Sequence, residues 1–280
     1  MNLVLVLSGG GAKALAHLGA FRALEERGLA PAHIVGTSMG AVVGAALATG
    51  LTVQGVRGAA LGITRADVAP LDYLSLVTGM FARSLLRFRG LECLIARLVP
   101  PRRFAELKTP LTVVATDLDT GTVTLVGAGG GGGGGGGRDD VPLYEALYAT
   151  CAMPLYYPPI TIAGRRYGEG GLRAVLPLTV ARQIPADRYV AIHVGPGFDE
   201  QLPSPSLPVS LRLPPLIRAH GEALRIMMAA QVEREISEWP ATGPKLTLVR
   251  PVREREATFR VEEADRYIEA GYRATKAALA

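Results

Sequence analysis

Leu3-Val4-Leu5-Val6-Leu7-Ser8-Gly9-Gly10-Gly11 opens the chain, and His33-Ile34-Val35-Gly36-Thr37-Ser38-Met39-Gly40-Ala41 follows it; the two stretches together decide the fold. Leu3 to Leu7 is an unbroken apolar run, the pattern of a strand covered on both faces. Ser8 to Gly11 breaks it. From Ala14 to Arg27 the apolar residues Leu15, Leu18, Phe21 and Leu24 recur at helical spacing, with Arg22, Glu25 and Glu26 on another side and Gly28 as the C-cap. His33 to Gly36 reads as a second buried strand and Ala41 to Leu47 as a second helix. A β-α-β-α order predicts an α/β fold whose sheet is parallel with right-handed crossovers.

The turn between the second strand and its helix is Gly36-Thr37-Ser38-Met39-Gly40. A serine hydroxyl is a weak nucleophile until geometry and a base activate it. A sharp strand-to-helix turn exposes the hydroxyl at a helix N-terminus, and Gly36 and Gly40 let two backbones approach where a Cβ would clash. Gly9, Gly10, Gly11 and Ala12, just before Lys13, place several N–H groups at another helix N-terminus, which suits an anion. Two readings of that loop compete. Gly9-x-Gly11-x-x-Ala14 fits a permissive dinucleotide fingerprint, but no acidic residue ends the second strand. The stronger reading is an oxyanion hole, because both loops follow adjacent parallel strands and open onto one sheet edge.

Composition sets the bounds. The chain has 280 residues, 49% hydrophobic and 20% charged, which is globular rather than disordered. A net charge of +5 permits attraction to an anionic lipid surface, and solvated arginines of a soluble enzyme explain it equally well. Cys93 and Cys151 are far apart and lack zinc-site spacing, so no disulfide scaffold or structural metal is expected and a reducing compartment fits. No basic, long-apolar leader precedes the first strand, and no run is long enough to span a bilayer. The expected location is cytoplasmic, with peripheral membrane contact left open.

Farther along, residues 64–103 mix large apolar side chains with arginines and read as short helices inserted between strands, either a lid facing acyl chains or an amphipathic cover for the sheet. Leu111 to Thr116 and Val123 to Val126 are strands, joined through Asp117, whose carboxylate suits a turn that accepts backbone N–H groups. The glycine-rich stretch 127–140 predicts a mobile loop. A helix from Pro142 to Thr150, a hairpin around Gly164, a strand from Tyr189 to Val194, and helices over 216–239 and 261–279 with a strand between them complete one domain over residues 1–280.

Ser38 needs a base. Of four histidines, His193, in the strand-like run Val190 to Val194, is best placed for a Ser-His-acid arrangement. The other candidate is Glu169 in Gly168-Glu169-Gly170-Gly171, where glycines expose the carboxylate and bring backbone close to it. The set Gly9 to Lys13, Gly36 to Ala41, Ala115-Thr116-Asp117-Leu118, Ala152-x-Pro154 with Pro158-Pro159, and Gly170-Gly171-Leu172 resembles the patatin-like phospholipases, particularly their compact bacterial members. The resemblance implies a three-layer α/β/α sandwich with a mainly parallel sheet. It also implies acyl-ester hydrolysis by a Ser–Asp dyad with no histidine and no metal; no cofactor and no nucleic-acid partner are expected. Ser38 matches the nucleophile, and Gly9, Gly10, Gly11 and Ala12 match the oxyanion hole. Two positions depart: Ala14 stands where the glycine loop usually ends in Gly, and Glu169 stands where the family has Asp. The longer acid must fold back or its turn must shift. The expected activity is a serine esterase or lipase acting on phospholipid, lysophospholipid or other carboxylic esters. The rivals are an inactive lipid- or acyl-binding homologue and a Ser-His-acid hydrolase.

Overall fold

A computed structural model describes residues 2–64, 84–86, 88–101, 103–128, 141–201, 215–255 and 260–280. The strands are β1 (Leu3–Leu7), β2 (His33–Thr37), β3 (Leu111–Asp117), β4 (Val123–Gly127), β5 (Ile160–Ile162), β6 (Arg165–Gly168), β7 (Arg188–Ile192) and β8 (Lys245–Val249). They form one sheet in the order β5-β6-β3-β2-β1-β7-β8, with β4 also on β3. The four central pairings, β3 with β2, β2 with β1, β1 with β7 and β7 with β8, are all parallel. The pairings of β4, β5 and β6 are antiparallel.

The helices are α1 (Ala16–Glu25), led by a 3-10 turn over Gly11–Leu15, α2 (Met39–Ala48), α3 (Val53–Leu61), α4 (Phe88–Leu98), α5 (Leu143–Cys151), α6 (Leu178–Ala181), α7 (Pro215–Ser237) and α8 (Ala264–Ala278). Alternation along the strands divides the core into two layers, because successive side chains point to opposite faces. Leu3, Leu5, Leu7, Ile34, Leu111, Val113 and Ile192 join one cluster with the apolar sides of α1, α2, α4, α5 and α8. Val4, Val6, Val35, Val114, Tyr189 and Ala191 join the other, beneath residues 174–181 and α7. The result is a mostly parallel sheet flanked by helices, as the opening stretches predict.

One detail of the sheet positions the site. Thr116 pairs with Val123 of β4 and with Gly168 of β6, so those two strands lie on opposite edges of β3. The edge that β6 uses is therefore the edge that β2 occupies lower down, over residues 111–114. β2 leaves that edge at Thr37 to make the turn at Ser38, and β6 takes over at Gly168. The acid turn is thereby delivered directly beyond the nucleophile turn.

The structure differs from the sequence reading at several boundaries. The second helix starts at Met39 because Ser38 is itself its N-cap. β7 ends at Ile192, so His193 lies just past the strand. α3 goes unread from apolar periodicity; its signal is Thr52, whose hydroxyl caps the helix by accepting the Gly55 N–H at 3.1 Å. Within residues 64–103, α4 buries Leu91, Leu94, Ile95 and Leu98 against the core. Leu85 and Leu86 donate backbone N–H groups to Leu155 and Tyr156. Residues 65–83, and residues 129–140 of the glycine-rich stretch, lie outside the described residues. No described helix is long and apolar enough to cross a membrane.

Candidate active site

Ser38 sits at φ 53° and ψ −136°, a backbone conformation that L residues rarely adopt. The sequence enforces it from both sides. A Cβ on Gly40 would lie 2.4 Å from the Ser8 carbonyl oxygen, and one on Gly36 2.6 Å from the Ala41 Cα. The turn is held by hydroxyls that the sequence reading missed. Thr150 Oγ1 accepts the Ser38 N–H at 2.7 Å and donates to the Val114 carbonyl, and Thr37 Oγ1 donates to the Ala174 carbonyl at 2.8 Å. The signal for them is a threonine within an otherwise apolar, buried stretch: its hydroxyl has to find a partner.

Glu169 reaches Ser38. The serine Oγ donates to Glu169 Oε2 at 2.9 Å, and Glu169 Oε1 accepts the Gly171 N–H at 3.0 Å. The extra methylene is taken up by folding the side chain back over its own turn, which leaves one carboxylate oxygen for the serine. Thr116 Oγ1 donates to the Glu169 carbonyl at 2.8 Å and the Glu169 N–H donates to Ala152 at 3.1 Å, so the backbone under the acid is tied down. A Cβ on Gly170 would stand 2.0 Å from the Val114 carbonyl oxygen; only glycine lets the turn lie on β3. Gly171 supplies the N–H.

Glu169 is 2% exposed. Burial pushes its carboxyl up to about 7, against the opposing hydrogen bonds from Gly171 and Ser38. The buried Cys151 thiol is pushed well above the thiol range, first by burial and then by the neighbouring Glu169 carboxylate.

The glycine loop meets the nucleophile turn: a Cβ on Gly9 would lie 3.2 Å from Ser38 Cβ. The Gly9 N–H, however, donates to the Val175 carbonyl at 3.0 Å. This corrects the expectation for Gly9, which supplies close approach and not a donor. The N–H groups of Gly10, Gly11 and Ala12 have no acceptor among the described residues, as expected for the first turn of a helix. Beneath the loop, His17 Nε2 donates to the Ser8 carbonyl at 3.0 Å, and burial lowers this ring to about 4, so it is neutral.

His193 does not meet Ser38. Its Nδ1 accepts the Gly195 N–H at 3.3 Å, and its Nε2 has no hydrogen-bond partner among the described residues. Burial first, and then the charges of Arg250 and Lys13, lower it to about 3. Asp117 serves its loop as anticipated. Burial raises its carboxyl, but the N–H groups of Thr120 and Asp119 and the Arg165 guanidinium outweigh this and hold it below the usual range. Among the described residues no cluster of His, Cys, Asp or Glu side chains is arranged to hold a metal.

Known proteins resemble this chain in sequence and fold. An uncharacterised NTE family protein of Mycobacterium tuberculosis is 30% identical over 205 residues, which cover 71% of this chain and 52% of that protein. The uncharacterised protein YqhO of Bacillus subtilis is 32% identical over 168 residues, covering 56% of this chain and 57% of the other. The chain thus spans about half the length of these relatives. Human patatin-like phospholipase domain-containing protein 6 is 29% identical over 200 residues, 69% of this chain and 13% of the human protein. VipD from Legionella pneumophila shares the fold, with a TM-score of 0.50 over 99% of this chain and 66% of that one, at 14% identity. The sequence profile described as patatin-like phospholipase matches residues 5–182, a span that carries the glycine loop, the Ser38 turn and the Glu169 turn. With that span matched over more than half its length, the chain belongs to the patatin-like phospholipase family.

Proposed function

We propose that this chain is a serine esterase or lipase that hydrolyses acyl esters through a Ser38–Glu169 dyad. The observation that carries the proposal is the 2.9 Å hydrogen bond from Ser38 to a carboxylate that is almost wholly buried. In the ionised state Glu169 takes the Ser38 proton as Oγ attacks the acyl carbonyl. The carbonyl oxygen becomes an oxyanion, which the N–H groups of Gly10, Gly11 and Ala12 stabilise. Each such donor is worth roughly 3 kcal/mol at comparable sites. Collapse of the tetrahedral intermediate expels the alcohol or lysolipid, protonated by Glu169. Water, deprotonated by the same carboxylate, then releases the acyl group from Ser38.

A group near 7 suits this work, because the same carboxyl has to be a base in one step and an acid in the next. The mechanism makes the ionised form the active one in the acylation step. Hydrolysis of p-nitrophenyl esters of graded chain length by the purified protein tests the proposal. Turnover that disappears in Ser38→Ala is the expected result, and equal turnover in that variant would refute it.

A further inference from the structure

Lys13 follows the three N–H donors directly, yet its side chain is only 6% exposed. Its Nζ donates to the Glu254 carbonyl at 2.8 Å and to Glu200 Oε1 at 3.4 Å. The Glu200 side chain is 5% exposed, and its other oxygen lies 3.5 Å from Nη1 of Arg225 on α7. The same helix continues to the opposite half of the site. Met228 is buried, with its methyl 3.4 Å from where a Gly171 Cβ would stand, and Gln231 Nε2 donates to the Leu172 carbonyl at 2.6 Å. A continuous chain of contacts therefore runs from the glycine loop through Lys13, Glu200 and Arg225 to α7, and from α7 to the turn that carries Glu169.

Stability is a poor explanation for this chain. Removing a lysine and a glutamate from water costs several kcal/mol per ion, and well-packed apolar residues in their place are often no worse. Burial does pull the Lys13 ammonium below the ordinary lysine value, and Glu200 offsets part of that pull. A defined geometry is what a buried, doubly contacted pair provides that an apolar pair does not. The geometry at stake is the span between the oxyanion donors and the base. A misplacement of about 1 Å in such a span costs on the order of 100-fold in rate.

We infer that Lys13, Glu200 and Arg225 form a brace that, through α7, sets the position of the Gly10–Ala12 donors relative to the Glu169 turn. These are positioning residues and touch no substrate. The catalytic reading of the brace rests on the proposed function; its mechanical part does not.

Two readouts on Lys13→Met, Glu200→Gln and the double variant test it. In amide hydrogen exchange, each variant is expected to speed exchange at the hydrogen-bonded amides that flank the donors, Gly9 and residues 14–16, and also at 169–172, on the far side of α7. Faster exchange at the glycine-loop flanks alone, or at neither, would overturn the brace whether or not the protein is an esterase. In ester turnover, each single variant is expected to lower kcat roughly 10- to 100-fold with little change in KM, and the double variant to match the worse single, because both cut one linkage. Unchanged kcat in a folded single variant, or losses that multiply in the double, would count against it. Lys13→Arg, which keeps the charge, is expected to restore most of kcat. If Lys13→Met does not fold, Arg225→Met carries the same two readouts from the more exposed end. A wild type that neither hydrolyses esters nor labels at Ser38 would remove the proposed function and leave the exchange result to decide the brace.

Discussion

The turn at residues 36–40 and the turn at residues 168–171 hold the two proposed reacting groups, and they do so by opposite means. Ser38 has a short side chain, so backbone geometry alone aims it: a positive φ, and glycines on either side that allow contact with Ser8 and Ala41. Glu169 has a long side chain, so its backbone is fixed to β3 and the carboxylate is then aimed by its own Gly171 N–H. The first turn, residues 36–40, carries no titratable side chain. The second carries a carboxyl that burial pushes up to about 7. A longer acid is accommodated at the second turn by its own fold-back onto Gly171, whereas a methyl added at Gly36 or Gly40 of the first would meet backbone.

The comparison breaks most readily at Gly40. Gly40→Ala drives a methyl into the Ser8 carbonyl, and the expected loss is about 3 kcal/mol or more in urea unfolding, together with turnover. Stability unchanged in that variant would show that the turn is not held by backbone contact.

Glu169 predicts an effect of similar size with the opposite sign. Its folded-state pKa is raised from 4.5 to about 7, so the folded protein binds this proton more tightly than the unfolded chain does. The wild type is therefore destabilised as pH rises from about 4.5 to about 7, by roughly 3 kcal/mol in all. Glu169→Gln, which carries no charge, is expected to be more stable than wild type at pH 8, with the advantage fading toward pH 4. Unfolding curves at the two pH values decide this, and a variant less stable at both would contradict the buried-charge account.

Glu169→Asp sharpens the comparison from the activity side. Shortening a side chain that already spans from Gly171 to Ser38 should cost up to roughly 100-fold in kcat. A gain in turnover would instead identify the glutamate as the mark of a weakened, lipid-binding homologue. The smallest effect is expected at His193, whose ring bonds its own loop: His193→Gln should leave ester turnover nearly unchanged. Loss of turnover in a folded His193→Gln protein would revive a histidine mechanism.

How much of this was legible in the sequence follows from the same contrast. Leu3 to Leu7 and His33 to Thr37 are apolar strands whose burial is complete, so their pattern gave both the strands and the parallel order. The Ser38 turn was legible because its serine and flanking glycines lie within residues 36–40, although the contacts with Thr150 and Ala174 that hold it come from far along the chain. Glu169 was legible as a candidate only, since what brings it to Ser38 is β6 continuing the edge that β2 vacates, a long-range pairing that local pattern does not encode. Thr116 and Thr150 looked like ordinary strand and helix residues until their buried hydroxyls found partners across the site. Lys13 was visible beside the glycines, but its partners Glu200 and Arg225 are close only after α7 has packed across the sheet. The missed helix α3 is short and buries only Val53, Val56 and Ala60, and its start is marked by the Thr52 cap.

The central claim is that Glu169 activates Ser38, and the rate at which a fluorophosphonate labels Ser38, followed by mass spectrometry across pH 5 to 9, tests it most directly. The account predicts a wild-type rate that rises through a single ionisation near pH 7, and a Glu169→Gln rate that is slow and flat over the same range. Equal rates and equal pH profiles in the two proteins would contradict it.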